Sequence, residues 1–396
     1  MFLTSLTRRN PQLVAAAVDL HQAGLIPANS YVLDLDAIEN NTSEFASRAD
    51  KLGLTAFAMS KQLGRVPPVL AAIVRGGIHS FVAVDTQGAR LINVSGHRVG
   101  HLGHLVQVPE GETDGAMRMV PDSWTVFSVD KARAVSDAAT ALGRTQKVLL
   151  RVHREGDTFY EGHEGGIELA QLADAYQQID ALDGLDVAGV TTFPALLFSQ
   201  DRGTVHLTPN MQTVVEAAQT LRDLGMDHVE VNAPGTTSSE TLELLADAGA
   251  TQVEPGHGLT ATTPLHAVRD LPEVPAVLYL SEVSHIHEGR AYVYGGGTYI
   301  DPVFGPYQVR ALVGHDGDHA LSTSVDASLP PYEAIDYYAQ LHPGDATPRV
   351  GDSVVFGFRI QAFVTRAYIV PVAGLADDRP QVAGIWTAAG APAQWP

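Results

Sequence analysis

Of the 25 basic residues in the 396-residue chain, only four are lysines, Lys51, Lys61, Lys131 and Lys147, so each can be weighed as a nucleophile. Lys51 lies on a polar helix end, Lys131 opens a helix after Asp130, and Lys147 precedes an apolar strand. Lys61 instead ends the apolar run TAFAMS (55–60). An amine at the end of a buried strand can be desolvated and lowered in pKa, the form that makes a Schiff base with a carbonyl substrate or with pyridoxal phosphate. Two later segments suit a phosphate. HVEVNAPGTTSSETL (228–242) runs from a strand through Gly235, Thr236 and Thr237 into a helix, offering backbone N–H groups and hydroxyls. EPGHGLTATTP (254–264) supplies Gly256, His257 and Gly258, where backbone can approach a ligand closely.

Positioning these residues requires a particular set of elements. Short apolar runs recur at 55–60, 79–84, 104–108, 124–129, 147–152, 186–193, 228–232 and 251–255, with helical patterns such as Val66–Arg75, Lys131–Leu142, Ile167–Ile179, Met211–Leu224 and Ser239–Ala248 between them. Strands apolar on both faces and alternating with helices predict a parallel sheet, and eight of them are the number that closes a TIM (β/α)8 barrel. Active sites of such barrels sit at the C-terminal ends of the strands, and phosphates are held by the loops after strands seven and eight. After Pro264 the rhythm changes to apolar runs punctuated by Gly, Pro and Asp, interrupted only by the helix-like YEAIDYYAQL (332–341), which predicts an all-β C-terminal domain. The expected fold is therefore α/β, a barrel over 45–270 followed by a β-domain over 271–396, with the strand in SYVLDLDAI (30–38) free to join either sheet.

Composition bounds the partners. A net charge of −20 offers no footprint for nucleic acid, and no run of ~18 apolar residues marks a membrane span. The absence of Cys removes thiolate nucleophiles, Fe–S clusters and Cys-based zinc sites. The N-terminus shows no charged segment followed by an apolar one, so a cytoplasmic location is expected.

With Lys61 after the first strand and phosphate loops after the seventh and eighth, the chain resembles the fold-type III pyridoxal phosphate enzymes, the alanine racemase superfamily, over about residues 30–370. LDLDAIENN (33–41) is similar to its opening strand and helix, AFAMSK (56–61) to its cofactor-lysine strand, and VNAPGTTSSE (231–240) to the phosphate loop of the dehydratase and aldolase branch. The SKQ-G-R and EPGHGLTATTP signatures resemble the YhfX-like branch. The resemblance implies a PLP-binding barrel, a β-domain and a homodimer with a shared active site, acting on a small-molecule amino-acid substrate. It places Glu254, in EPG, opposite the pyridine nitrogen, where the racemase has an arginine. A carboxylate there keeps the ring protonated and strengthens the cofactor as an electron sink. SEVSHIHEGRAYVYGGGTYID (281–301) resembles the stretch carrying the second base, a role that falls on Tyr294, with Tyr292 and Tyr299 as competitors.

Two opposed bases, Lys61 and Tyr294, are what inversion at Cα through an external aldimine needs, so the expected activity is amino-acid racemisation or epimerisation. Lys61 and Glu254 would equally serve a decarboxylase or a D-amino-acid aldolase or dehydratase. A pyridoxal-independent Schiff-base aldolase is the remoter alternative. RVHREGDTFYEGHEGG (151–166) departs from the racemase motif, and its Arg151, Arg154, Tyr160 and His163 are candidate substrate contacts. Thr191 or Thr192 stands where the racemase has a ring-packing histidine. His285 with His287, and His315 with His319, offer incomplete metal-ligand sets, so no metal is expected, and His97, His101 and His104 are read as satisfied loop histidines.

Overall fold

A computed structural model describes residues 1–299, 307–331 and 333–395. The chain divides into two compact units, one formed by Met1–Thr42, Lys61–Gly76 and His257–Pro396, the other by Ser43–Ser60 and Gly77–Gly256.

The second unit holds the parallel barrel. Its strands are Thr55–Ala56 continued by Ala58–Met59, then Ser80–Ala83, Arg98–Leu102, Ser123–Val126, Gln146–His153, Leu185–Thr191, Glu230–Asn232 and Gln252–Val253. The first strand pairs with the last through Thr55 and Gln252, and with the second through Ala58 and Phe81, so the sheet returns to its start. Closure leaves no free edge, which is why eight short apolar runs suffice. Phe57, Met59, Val82 and Val84 form a buried cluster within this unit. Gly189 is dictated by strand contact, since a Cβ there would stand 2.0 Å from the carbonyl oxygen of Glu230 on the adjoining strand.

The expected third strand, 104–108, is corrected to Arg98–Leu102. The helix expected from Ile167 begins at Leu172, because Ile167–Glu168 pairs with Gln146–His153.

The first unit is built on a mostly antiparallel sheet. Ser30–Asp34 belongs here, antiparallel to Val277–His287 and parallel to Tyr368–Ala373. Helix Pro11–Gln22, capped by the Asn10 side chain, lays Leu13, Val14, Ala17 and Val18 into a core with Val32, Leu278, Leu280, Leu312, Val355 and Val370. Among the described residues the expected all-β region is interrupted by Gly317–Ser322, a short helix that Asp316 caps, and by a 3-10 turn at Ala362–Val364. YEAIDYYAQL is not a helix: Tyr338–His342 is a strand paired with Arg290–Tyr294, and Tyr332 lies outside the described residues. Among the described residues no helix is long and apolar enough to cross a membrane.

Candidate active site

Inside the barrel unit, Glu254 follows the last strand directly and is almost completely buried. Its Oε1 accepts from His101 Nδ1 at 2.5 Å and from Asn232 Nδ2 at 3.0 Å. His101 sits on Arg98–Leu102 and its other ring nitrogen meets Thr125 Oγ1 at 2.5 Å. Thr191 Oγ1 donates to Asn232 Oδ1 at 2.7 Å, extending the network to a further strand. Oε2 of Glu254 carries no hydrogen bond, and His104 Nε2 stands 3.6 Å from it. Burial by itself would raise the carboxyl pKa, but the charges of His104 and His101 and the hydrogen bonds from His101 and Asn232 outweigh it and hold the group at about 2. The site thus keeps an ionised carboxylate with one oxygen available to a donor from outside.

The sequence reading found Glu254 and missed its partners. His101 and His104 are buried and engaged with a carboxylate instead of closing a surface loop. Among the described residues, His101, His104 and Glu254 are the one group of three whose ligand atoms lie close enough for a metal ion. Both His101 nitrogens are already committed, so the arrangement reads as a hydrogen-bond network.

The phosphate loop after Glu230–Asn232 is partly closed on itself. The amide of Thr236 donates to Leu196 O at 3.3 Å and that of Thr237 to Gly235 O at 3.0 Å, against the expectation that both would be open to an anion. Gly235 lies against the backbone of Leu196, where a Cβ would come within 2.7 Å.

The loop 151–166 also changes meaning. Arg151 is 1% exposed, donates to the carbonyls of His104, His163 and Gly165, and lies over Phe127, with burial lowering its pKa to about 10. It offers a substrate a fixed loop, not an open guanidinium. Arg154 pairs with Glu216 at 2.6 Å. Tyr160 and His163 both pack on Phe193, as does His104, in an aromatic group within the barrel unit.

In the other unit, Lys61 opens a 3-10 turn one residue after the barrel segment ends at Ser60. Its Nζ lies 5.3 Å from the centre of the Phe363 ring, and the Arg65 guanidinium lies at the same distance from that ring. Arg65 is buried with φ +57°, a left-handed conformation uncommon for a side chain of its size. His257 is buried, with Nδ1 3.0 Å from Thr262 Oγ1 and Nε2 3.4 Å from Gln361 Nε2. Burial first, then the charges of Arg359, Lys61 and His266, push its pKa well below the ordinary value, so the ring is neutral. Gln361 donating to Nε2 fixes the tautomer with the proton on Nδ1. Arg65, Gln361 and Phe363 were not singled out from sequence, since their side chains meet only in the fold.

Tyr294 is 39% exposed and its ring lies 5.9 Å from that of Tyr338. Tyr292 stacks on His285 at 4.6 Å, and Tyr299 is exposed. His285 also contacts Ser284, and His315 packs on His319. The quoted segment 281–301 ends at Ile300 and Asp301, outside the described residues.

A closed parallel barrel with a buried glutamate after its last strand and a lysine after its first defines a class, and the comparisons agree. Residues 33–264 match the alanine racemase N-terminal domain and residues 278–382 the YhfX-like C-terminal domain. The chain therefore belongs to the alanine racemase N-terminal domain family, in its YhfX-like branch. It is 39% identical over 390 residues to the uncharacterized protein YhfX of Escherichia coli (strain K12), covering 98% of this chain and 99% of the relative. The fold is shared with D-threonine aldolase from Filomicrobium marinum (TM-score 0.66, 17% identity, 92% of this chain and 96% of the other). It is shared likewise with alanine racemase from Clostridium difficile 630 (0.62, 14%, 90% and 98%) and with D-threo-3-hydroxyaspartate dehydratase from Delftia sp. HT23 (0.63, 17%, 90% and 97%).

Proposed function

We propose that the chain is a pyridoxal phosphate enzyme that acts on an amino acid and inverts it at Cα, with Lys61 and Tyr294 as the two bases. The observation that carries the reading is the buried Glu254 carboxylate, ionised, clamped through Oε1 and open at Oε2. That is the group a protonated pyridine nitrogen requires opposite it. When bound, the cofactor supplies an electron sink for the pair left at Cα.

The chain's own residues do the rest. Lys61 would hold the cofactor through its amine, and its Nζ would take or return the Cα proton. Gly235, Thr236, Thr237, Gly256, His257 and Gly258 lie in the two loops proposed to grip the phosphate, with the Thr236 hydroxyl as a donor where the amides of Thr236 and Thr237 and the Thr237 hydroxyl are engaged. Tyr160 and His163 border the substrate from the aromatic group on Phe193, and Arg151 holds their loop. Tyr294, exposed on its own subunit, is proposed to act from the partner subunit of a homodimer.

Amino acids incubated in heavy water with the loaded protein test the activity. Deuterium at Cα with inversion of configuration, lost in Tyr294→Phe, is expected. Cleavage of a bond at Cα or Cβ, with turnover intact in Tyr294→Phe, would replace the racemase with a decarboxylase, aldolase or dehydratase.

A further inference from the structure

We propose that His101, steadied by Thr125, is the positioning residue that turns the Glu254 carboxylate so that Oε1 is consumed inside the barrel and Oε2 is left for the cofactor's pyridinium N–H. The proposal rests on the pyridoxal phosphate reading above.

The donors converge on one atom. Thr191 Oγ1 donates to Asn232 Oδ1, which fixes the amide so that Asn232 Nδ2 points at Glu254 Oε1. The same Nδ2 lies 3.4 Å from Gln252 Oε1, whose own Nε2 donates to Glu230 Oε2, so the amide orientation is set from two sides. His101 donates through Nδ1 to the same Oε1. Thr125 at Nε2 keeps the imidazole from rotating. Five strands, or the residue just past one, contribute to this single layer: Thr125, His101, Thr191, Asn232 and Glu254.

Two donors on Oε1 and none on Oε2 fix the plane of the carboxylate. A buried acceptor left open in this way costs free energy that an arriving donor removes. Among the described residues the titratable groups that face it are His101 and His104, with Glu230 linked to it through Gln252 and Asn232. His104 Nε2, at 3.6 Å, is too distant to satisfy Oε2.

The test is the Glu254 carboxyl titration in cofactor-free protein, followed by 13C NMR and assigned by its loss in Glu254→Gln. Removing a hydrogen bond to a charged group in His101→Leu is expected to raise the midpoint by roughly one to two pH units. His101→Asn, which restores a donor near Nδ1, is expected to recover much of the shift. Thr125→Val, nearly isosteric, carries the same test if leucine unfolds the barrel, and it too must move the midpoint upward. Unchanged midpoints in the folded variants would overturn the role of His101.

A second readout is the 15N resonance of ring-labelled pyridoxal phosphate, expected to be that of a protonated ring in the wild type and to move toward the unprotonated form in His101→Leu. Shifted midpoints in a protein that takes up no pyridoxal phosphate would overturn the pyridinium assignment along with the cofactor reading. Uptake with unchanged midpoints would overturn the positioning role alone.

Discussion

A carboxylate sealed in a barrel is tolerable only where donors meet its charge, and Glu254 has them from His101 and Asn232. Its pKa is held at about 2 against an ordinary 4.5, so the folded state binds its proton less readily than the unfolded one. The stabilisation is present above pH 4.5 and is lost as pH falls toward 2, a contribution on the order of 3 kcal/mol. His257 works in the same direction at higher pH. Its depressed pKa keeps it neutral when folded, so stability is full above its ordinary 6.5 and declines below it as the unfolded chain takes up a proton. Urea midpoints are therefore expected to fall from pH 8 to pH 5, and the difference to shrink in His257→Gln. A midpoint that rises over that range would contradict the assignment of His257, while the Glu254 contribution is lost only below pH 4.5. EPG made Glu254 legible because the motif is contiguous. His101 and His104 were hidden, since the neighbouring HLVQV is the more apolar run and drew the strand two residues past its true end.

At the scale of elements, strand proximity and loop anchoring make two predictions. Gly189→Ala would drive a methyl into the Glu230 carbonyl on the next strand, which neither backbone can escape, and a loss of about 3 kcal/mol or more in urea unfolding is expected. Arg151→Met would strip donors from three carbonyls and release the two loops that carry them. A loss of roughly 2–4 kcal/mol is expected, partly recovered by Arg151→Lys. A variant as stable as the wild type would show that the guanidinium is dispensable to the loop. The barrel strands were legible because burial on both faces makes them continuous apolar runs. The antiparallel region was legible in outline only. Gly317–Ser322 is helical because Asp316 caps it, a local signal that an apolar-run count passes over. YEAIDYYAQL has helix-like spacing, yet pairing with Arg290–Tyr294 overrides it, which is tertiary context winning over local preference.

For the whole molecule, the proposed shared site predicts complementation between copies. Lys61→Ala and Tyr294→Phe damage different subunits' contributions to one site, so random re-association of the two inactive proteins is expected to restore about a quarter of wild-type turnover. No recovery, from variants shown to exchange subunits, would place both residues' action within one chain. The central claim is that Lys61 carries pyridoxal phosphate, and four lysines make that unusually direct to check. The purified protein, equilibrated with pyridoxal phosphate, is reduced with borohydride, digested and mapped by mass spectrometry. The account predicts a band near ~420 nm that reduction abolishes, with one pyridoxyl group on the peptide containing Lys61 and none in Lys61→Ala. Label spread over Lys51, Lys131 and Lys147, or no uptake at all, would contradict it.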